Sequence, residues 1–543
     1  MKRTAVVAVL LLVAAVPAVR AHGEHAAVLF DFGDGRYAWA TVEEGNAWNM
    51  TQEAALTLGY DLNYTTTSGV FLLAVDGESG DWPDWWWHLF TWNVTQGAWL
   101  SSEAGASDLV VEGGGALAWR RTVDDPVTFA GAPPVATPVH PTPWTSFRGD
   151  AHGAGVSLGY APPSPGTVWS RDTGDRLADG TPVTYGGTVA VSTENGLWAL
   201  DAATGETRWS RADLRGMSTP AVWNGSLLLG AWDGRLHRVD AGTGAEVWNL
   251  SLAATPETIL SSSVTEHKGV AYVGTFDQSG GGGSLFAIDL FARRVAWELN
   301  TSSIHVSSPA VADGLVVVGV TGLFNRSAVR WDPPHGLLAV HLNGDLAWFF
   351  PTDGPVASSP AVAGDRIFFA TRGSRLYAVN VSGQEDWNRT IGYSVSSPAV
   401  AGGRVYVGSG EFNGEGKVRA FTVGGDALWE TSVNGPVQSG VVHALGTVYM
   451  TTNAPQGSVY ALHASNGSVR WQWTAQPEQY ILGSPTVSGG RVYVAGDSGS
   501  VYALGASVAA APLPVGPAVY AAIVVTVALV AAGFIWIRRR PKA

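Results

Sequence analysis

The chain has 543 residues, too many for one ordinary domain, and only 14% are charged while Gly numbers 68 and Trp 24. This composition excludes a disordered chain and favours a β-rich one with many tight turns. The formal net charge is −13, or about −20 once the basic residues of the two ends are set aside, which argues against nucleic acid as a partner. There is no cysteine, so stability has to come from core size and closure rather than disulfides, and thiol chemistry is excluded.

Residues 1–21 carry a basic start (Lys2, Arg3), an apolar run from Ala5 to Val16, and small residues Val19 and Ala21 at the cleavage positions. That is the pattern of a secretory signal cut after Ala21. Cleavage leaves His22 as the N-terminus with His25 close behind, an amine and imidazoles that could chelate copper, although such termini are ordinarily solvated chain.

Residues 22–130 read as a separate α+β domain: strands at AVLFDF and YAWATVE, a helical stretch from Trp48 to Leu58, then strands from Tyr64, Phe71, Trp85 and Leu117. Its most unusual composition is DWPDWWWHLFTWN, Asp81 to Asn93. As a strand this puts Trp86, His88, Phe90 and Trp92 on one face and Trp85, Trp87 and Leu89 on the other. Trp86, His88 and Trp92 are therefore candidates for stacking a flat ligand or a sugar. The competing assignment makes one face core and packs the other on a neighbour, since aromatics dominate burial in small domains. WWWHLFTWN followed by the late DLVVEGGGALAWRR resembles the β-grasp-like DUF4430 domain related to the C-terminal part of transcobalamin. That resemblance implies binding of a small, corrinoid-like ligand as one alternative function. A Pro-rich linker, 131–143, follows.

From residue 144 one motif recurs. SSPAVAGGRVYVGSG at 396 has close copies at 218, 307, 358 and 483 and weaker ones at 180, 261 and 438, making eight units. After each of the first seven comes a strand, a turn, and a strand bearing a tryptophan: Trp209, Trp248, Trp297, Trp348, Trp387, Trp429 and Trp471. Four short β-runs at a period near ~40 residues are the signature of propeller blades, none of which can bury both faces alone. Asn195-Gly196, Asp233-Gly234 and Asn466-Gly467 suit hairpin turns. The eighth unit ends at Val501–Gly505 without its last strand, and GTVWS, Gly166 to Ser170, supplies one with Trp169 in the expected place. The fold class is thus mainly β: an eight-bladed propeller over 144–505, closed by an N-terminal strand so that no sheet edge is left free.

ALDAATGETRW, Ala199 to Trp209, resembles the A-x-D-x-x-T-G-x-x-x-W pattern of the pyrroloquinoline-quinone (PQQ) repeat family, and WTSFRGDAHGAG, Trp144 to Gly155, is similar to the lead-in before many such propellers. The family includes quinoprotein alcohol dehydrogenases and the non-enzymatic assembly lipoprotein BamB. The resemblance implies that Trp169, Trp209, Trp248, Trp297, Trp348, Trp387, Trp429 and Trp471 pack between adjacent blades. The turns before Trp348, Trp387 and Trp429 depart from the pattern, being one residue shorter and lacking the T-G pair. Arg148-Gly149-Asp150 spells an adhesion tripeptide, whose place in the lead-in argues against adhesion.

Beyond the linker 506–517, Ala518 to Ile537 is twenty residues without a charge, followed by Arg538, Arg539, Arg540 and Lys542 in the tail 538–543. This predicts one membrane-spanning helix with a cytoplasmic tail and everything between the two ends outside the cell. Sequons at Asn49, Asn63, Asn93, Asn224, Asn249, Asn300, Asn325, Asn380, Asn388 and Asn466 agree with a glycosylated surface protein.

The expected function is therefore a membrane-anchored, non-catalytic module that binds a protein or glycan at the cell surface, with no catalytic residue, metal or cofactor assigned. The alternative is a PQQ-dependent dehydrogenase of alcohols or sugars, for which the family implies PQQ, calcium held by carboxylate and amide side chains, and long inserts over the propeller mouth. Here the blades are near minimum length. The acidic candidates in the larger inserts, Asp277 and Asp332, sit beside SGGGGS and PPHG and read as loop residues.

Overall fold

The computed structural model describes the chain between residues 25 and 505, apart from 33–36, 44, 59, 67–70, 80–85, 94–97, 103, 112–115, 123–143, 158–164 and 175–179. In the N-terminal part, His25–Asp31 pairs antiparallel with Tyr37–Glu43 and parallel with Ala116–Thr122. Trp86–Asn93 and Ala98–Ser101 extend the same sheet beyond that last strand. The helix Ala47–Leu58 starts where the Asn46 side chain accepts a hydrogen bond from Trp48 N at 3.0 Å, an N-cap. Ala47, Met50, Ala54 and Ala55 fall on one helical stripe and pack on Val28, Phe30, Val42, Leu117 and Trp119. The Trp119 indole donates to Thr51 Oγ1 across this core at 2.8 Å. The opposite sheet face, with Ala27, Leu29, Phe90, Trp99, Ala116 and Ala118, closes over Leu445 of the propeller, which is 2% exposed. The described residues, His25 to Gly505, pack as one compact unit.

Among the described residues eight blade sheets follow, seven of four antiparallel strands and one, blade 7, of four antiparallel strands with a short parallel fifth. Blade 1 runs from Val183–Tyr185 to Thr207–Arg211, blade 2 from Ala221–Trp223 to Glu246–Ser251, blade 3 from Thr265–His267 to Arg294–Thr301, and blade 4 from Ala310–Ala312 to Leu346–Pro351. Blade 5 runs from Ala361–Ala363 to Glu385–Thr390, blade 6 from Ala399–Ala401 to Ala427–Val433, and blade 7 from Val442–Ala444 to Val469–Thr474. Blade 8 takes three strands from Thr486 to Leu504, and its fourth is Thr167–Asp172, paired antiparallel with Ser500–Leu504. The ring is closed by the strand that the sequence supplies in advance.

Neighbouring blades are joined by the repeated tryptophan. Six of the eight indoles lie on the turn between the third and fourth strands of the next blade and donate their N–H to a carbonyl there: Trp169 to Ala202, Trp209 to Ala241, Trp297 to Leu342, Trp348 to Val381, Trp387 to Val423 and Trp429 to Ala464, all at 2.9–3.0 Å. The turn glycine makes room. At Gly205, with φ +76°, a Cβ would stand 2.6 Å from the Trp169 ring. The shortened turns keep the contact, because Gly344, Gly383 and Gly425 still face Trp297, Trp348 and Trp387. Blade 3 differs. Its turn puts Arg293 at φ +55° where the others have glycine, and the Trp248 indole N–H has no partner.

The recurring Ser-Ser-Pro also has a mechanical basis. Its second hydroxyl accepts a backbone N–H from the preceding blade, forming a belt around the axis: Thr181 N to Thr219, Thr219 N to Ser263, Ser263 N to Ser308, Ser308 N to Ser359, and Ser359 N to Ser397, at 2.8–3.2 Å. Gly440 N continues it to Ser484 Oγ at 2.7 Å. The first serine ties its own blade to the next, as Ser307 Oγ does by accepting from Gly319 N and donating to Ser358 O.

The lead-in laces the innermost strands together. Carbonyls of Trp144, Thr145, Ala151, His152, Ala154 and Gly155 accept from Thr184, Val222, Val311, Val362, Val400 and His443, spanning blades 1, 2, 4, 5, 6 and 7. Val156–Ser157 then runs parallel to the inner strand of blade 7, and Ser157 Oγ donates to Val487 O of blade 8.

The expected membrane crossing has to be corrected: among the described residues no helix is long and apolar enough to cross a membrane. The segment 518–537 itself lies outside those residues, as do the signal 1–21, His22, the linkers 131–143 and 506–517, and the tail 538–543.

The indole–glycine contact sets opposite signs for two substitutions. G383A pushes a Cβ to 2.7 Å from Trp348 at φ +77°, and should lose about 1–3 kcal/mol in urea unfolding. R293G relieves a left-handed non-glycine residue and opens a seat for Trp248. It should gain about 1 kcal/mol and shift indole fluorescence to the blue.

Candidate functional site

In a four-stranded antiparallel blade the turns between strands one and two and between strands three and four share one end of the ring. The connections between strands two and three, and between blades, share the other. The first end is occupied. It carries the tryptophan-seating turns and Leu445 beneath the N-terminal sheet, and the lead-in bonds to the inner strands just before their turns. Arg148 is part of that lacing: it is 2% exposed, with φ +66°. Its Nη2 donates to Pro398 O at 2.5 Å, so the arginine of the adhesion tripeptide is not presented to solvent.

The second end is where blade equivalence breaks down. Blade 3 adds a ribbon, Thr258–Ile259 with Phe276–Asp277, and blade 4 adds the hairpin Leu323–Asn325 with Arg330–Asp332. They pack on each other, since a Cβ on Gly280 would stand 2.7 Å from Phe324 O. Their shared core is aromatic. Phe276 and His305 have ring centroids 4.9 Å apart, Phe276 and Trp331 5.2 Å, His305 and Trp331 5.4 Å, and Phe324 and Trp331 5.0 Å. Outside this core Val329 is 78% exposed at φ +49°, a strained conformation for a β-branched residue, and Leu323 is 41% exposed. A crest of two inserts therefore presents apolar side chains on an otherwise regular rim. On the same rim Phe412 stacks on Tyr480 at 6.0 Å.

The acidic candidates serve these inserts. Asp277 accepts from Ser279 N at 2.7 Å, from Ser279 Oγ, and from Thr255 Oγ1 at 3.1 Å. Asp332 accepts from Asn325 Nδ2 at 2.9 Å and Arg330 Nε at 2.8 Å. Hydrogen bonding to its ionised form holds the Asp332 carboxyl below the usual carboxylate range. Among the described residues no three His, Asp or Glu side chains gather as a metal site.

Of the stacking candidates, His88 is half-buried, tilted on Phe90 at 4.9 Å and hydrogen-bonded to Ser101 Oγ at 2.6 Å. The side chains of Trp86 and Trp92 lie outside the described residues. Trp87 and Leu89 belong to the core beneath the helix, while Phe90 faces Leu445, so two-face packing absorbs this strand. None of the sequon asparagines with a described side chain is buried. Several hold turns or ladders: Asn325 and Asn380 accept backbone N–H groups, and Asn388 bridges Arg375 and Glu385. The side chain of Asn93 is outside the described residues.

Sequence reasoning missed the crest and the buried histidines. Trp331 and Phe324 are visible as aromatics in a longer-than-usual insert, but their packing on His305 of another connection has no local signal. His443 stacks on Tyr406 inside the ring, with centroids 5.8 Å apart. Burial lowers the imidazoles of His305 and His443 to about 4.

These features define an eight-bladed propeller scaffold with one end laced shut and a built-up crest on the other. The family described as outer membrane protein assembly factor BamB, a PQQ-repeat family, matches residues 155–318, 233–411 and 414–509. The chain belongs to this family. A quinohemoprotein alcohol dehydrogenase of Comamonas testosteroni is 26% identical over 192 residues, 31% of this chain and 25% of that protein. The outer membrane protein assembly factor BamB of Yersinia pestis is 23% identical over 298 residues, 52% of this chain and 62% of that protein. The chain thus spans less than two thirds of the length of either relative. Among solved structures, the Comamonas testosteroni enzyme aligns with TM-score 0.55 at 16% identity, over 68% of this chain and 81% of that one. BamB from Moraxella catarrhalis aligns with TM-score 0.50 at 16% identity, over 63% and 97%. Likeness at this level is one of fold.

Because the folded pKa of both buried histidines lies below the unfolded value of 6.5, the unfolded chain takes up protons first as pH falls. Their contribution to stability is complete above about pH 6.5 and is lost as pH drops toward about 4. Urea midpoints measured across that window should fall, and H443F, which keeps the ring stack, should flatten the slope.

Proposed function

We propose that this chain is an exported, non-catalytic scaffold that holds a partner protein against the crest on blades 3 and 4. The observation that carries this reading is the crest itself, which breaks the equivalence of the blades and leaves Val329 and Leu323 exposed on an aromatic base. Exposed apolar groups in strained backbone are features of recognition sites rather than of stability. The signal-like start supports export, as do the sequon asparagines, which keep to the surface among the described residues. The assembly-factor relatives favour a protein partner over a small substrate.

The second reading, a PQQ-dependent dehydrogenase, is favoured by relatives of that kind. The residues present do not fit its metal. Asp277 and Asp332 are engaged by hydrogen bonds that hold the inserts, and no cluster of three carboxylates or imidazoles forms around either among the described residues. No step is therefore assigned to PQQ or calcium here.

A photo-crosslinking amino acid at Val329 of the full chain, in its native cells, should yield one discrete partner adduct. The same probe at exposed Ser382 should not, and L323D should reduce the Val329 adduct at least about fivefold, as expected for the loss of a buried anchor. Stoichiometric PQQ binding with calcium-dependent dye reduction by alcohols or sugars would overturn the reading in favour of the dehydrogenase.

A further inference from the structure

The belt of hydroxyls around the axis is interrupted at two blades: at blade 1, where the Thr181 hydroxyl has no partner, and at blade 7, where a buried cation stands in the gap. Thr219, Ser263, Ser308, Ser359, Ser397 and Ser484 each present a hydroxyl that accepts the preceding blade's N–H. In blade 7 the corresponding residue is Gly440, which has no side chain to receive the N–H of Ser397. Arg148 fills the space. Its Nη1 lies 2.3 Å, and Ser484 Oγ 2.9 Å, from the point a Cβ on Gly440 would occupy. The polarity of the belt is therefore inverted at this one blade: where the others place an acceptor, the lead-in places a donor.

The guanidinium is not neutralised by the chain around it. Arg148 is 2% exposed and takes part in no ion pair among the described residues. Its Nη2 donates to Pro398 O at 2.5 Å and its Nε reaches Gly153 O only at 3.5 Å, while Nη1 has no hydrogen-bond partner. A buried cation with free donors is costly unless an anion accompanies it, typically by several kcal/mol. Burial lowers this arginine to about 9, with only Asp150 acting the other way. The unpartnered Nη1 of Arg148 and the Ser484 hydroxyl, which accepts from Gly440 N and keeps its own proton to donate, face the same point beside Gly440. Together they make a donor set suited to one small, weakly hydrated anion, and the charge it would carry is the charge that is missing.

We propose that a halide-sized monoanion, chloride under ordinary conditions, binds beside Arg148 Nη1 and Gly440 and completes the inner belt at blade 7. The anion joins the lead-in to blades 6, 7 and 8 at the inner belt. The site is one of structure and does not depend on the partner proposed for the crest.

The test uses the full chain at constant ionic strength, with sodium chloride exchanged against sodium gluconate. The unfolding midpoint should rise by about 2 °C for each tenfold increase in chloride above its dissociation constant, as expected for a ligand that binds only the folded state. Crystals grown in bromide should show an anomalous peak within hydrogen-bond reach of Arg148 Nη1. The double variant R148M/G440S removes the cation and restores the missing hydroxyl, so it should fold with a midpoint indifferent to chloride and show no peak. A chloride-independent midpoint in the wild-type chain, or a water at that position in bromide crystals, would overturn the proposal. So would a chloride response that survives in R148M/G440S. If the double variant does not fold, R148K decides: the anion site predicts a weakened but retained chloride response, and an unchanged one contradicts it.

Discussion

Six of the eight blades of this ring are held by the indole that the preceding blade lays on their outer turn. A twisted four-stranded sheet buries one face easily and needs a neighbour for the other, and the tryptophan supplies both apolar area and a directed N–H bond to that neighbour. The contact requires a turn with no Cβ beneath the ring, which is why glycine in the left-handed region recurs at 205, 244, 344, 383, 425 and 467. Where that condition fails, at Arg293, the N–H of Trp248 is left without its carbonyl. Blade 8 has no such turn, because its third and fourth strands come from opposite ends of the propeller sequence. Closure there rests on the pairing of Thr167–Asp172 with Ser500–Leu504.

Inside the tryptophan ring, a second set of contacts holds the axis. The Ser-Ser-Pro repeat provides one hydroxyl for the bond between blades and one for the bond within the blade, and the lead-in adds carbonyls to six inner strands. These contacts are polar and buried, and satisfied except at Thr181 and beside Arg148, so they contribute specificity of register more than net stability. They also assign the two ends of the ring different roles. The laced end, with Leu445 under the N-terminal sheet, is committed to the chain's own architecture. The crest end carries the departures from the repeat, and it is these departures that the proposed recognition uses.

Much of this was legible in the sequence, because repetition makes weak signals strong. Eight copies of one pattern specify the blade, its period and the missing strand, and Trp169 at the expected offset identifies its replacement. The α+β order of the N-terminal part was equally readable from the helical stripe of Ala47, Met50, Ala54 and Ala55 and the alternation of Trp87 and Leu89 with His88 and Phe90. Contacts made once, between distant parts of the chain, were not readable. Arg148 lies in a segment without periodicity, and its burial follows from Gly440, almost three hundred residues later. Leu445 looks like an ordinary turn residue until the sheet face above it is placed. The crest hides for the same reason: His305, Trp331 and Phe276 come from three separate connections. Asp277 and Asp332, which drew attention as acids, turned out to serve their own turns.

The claim most open to direct measurement is that the lead-in is an integral lace rather than a loosely attached leader. Hydrogen exchange of the full chain reports it at the amides of Val222, Val311, Val362, Val400 and His443, which donate to lead-in carbonyls. If the account is right, these amides exchange only as slowly as the buried second strands of their blades, through global opening. Exchange at the rate of the exposed turns, with the second strands still protected, would show that the lead-in detaches in the native state and that the axis is open.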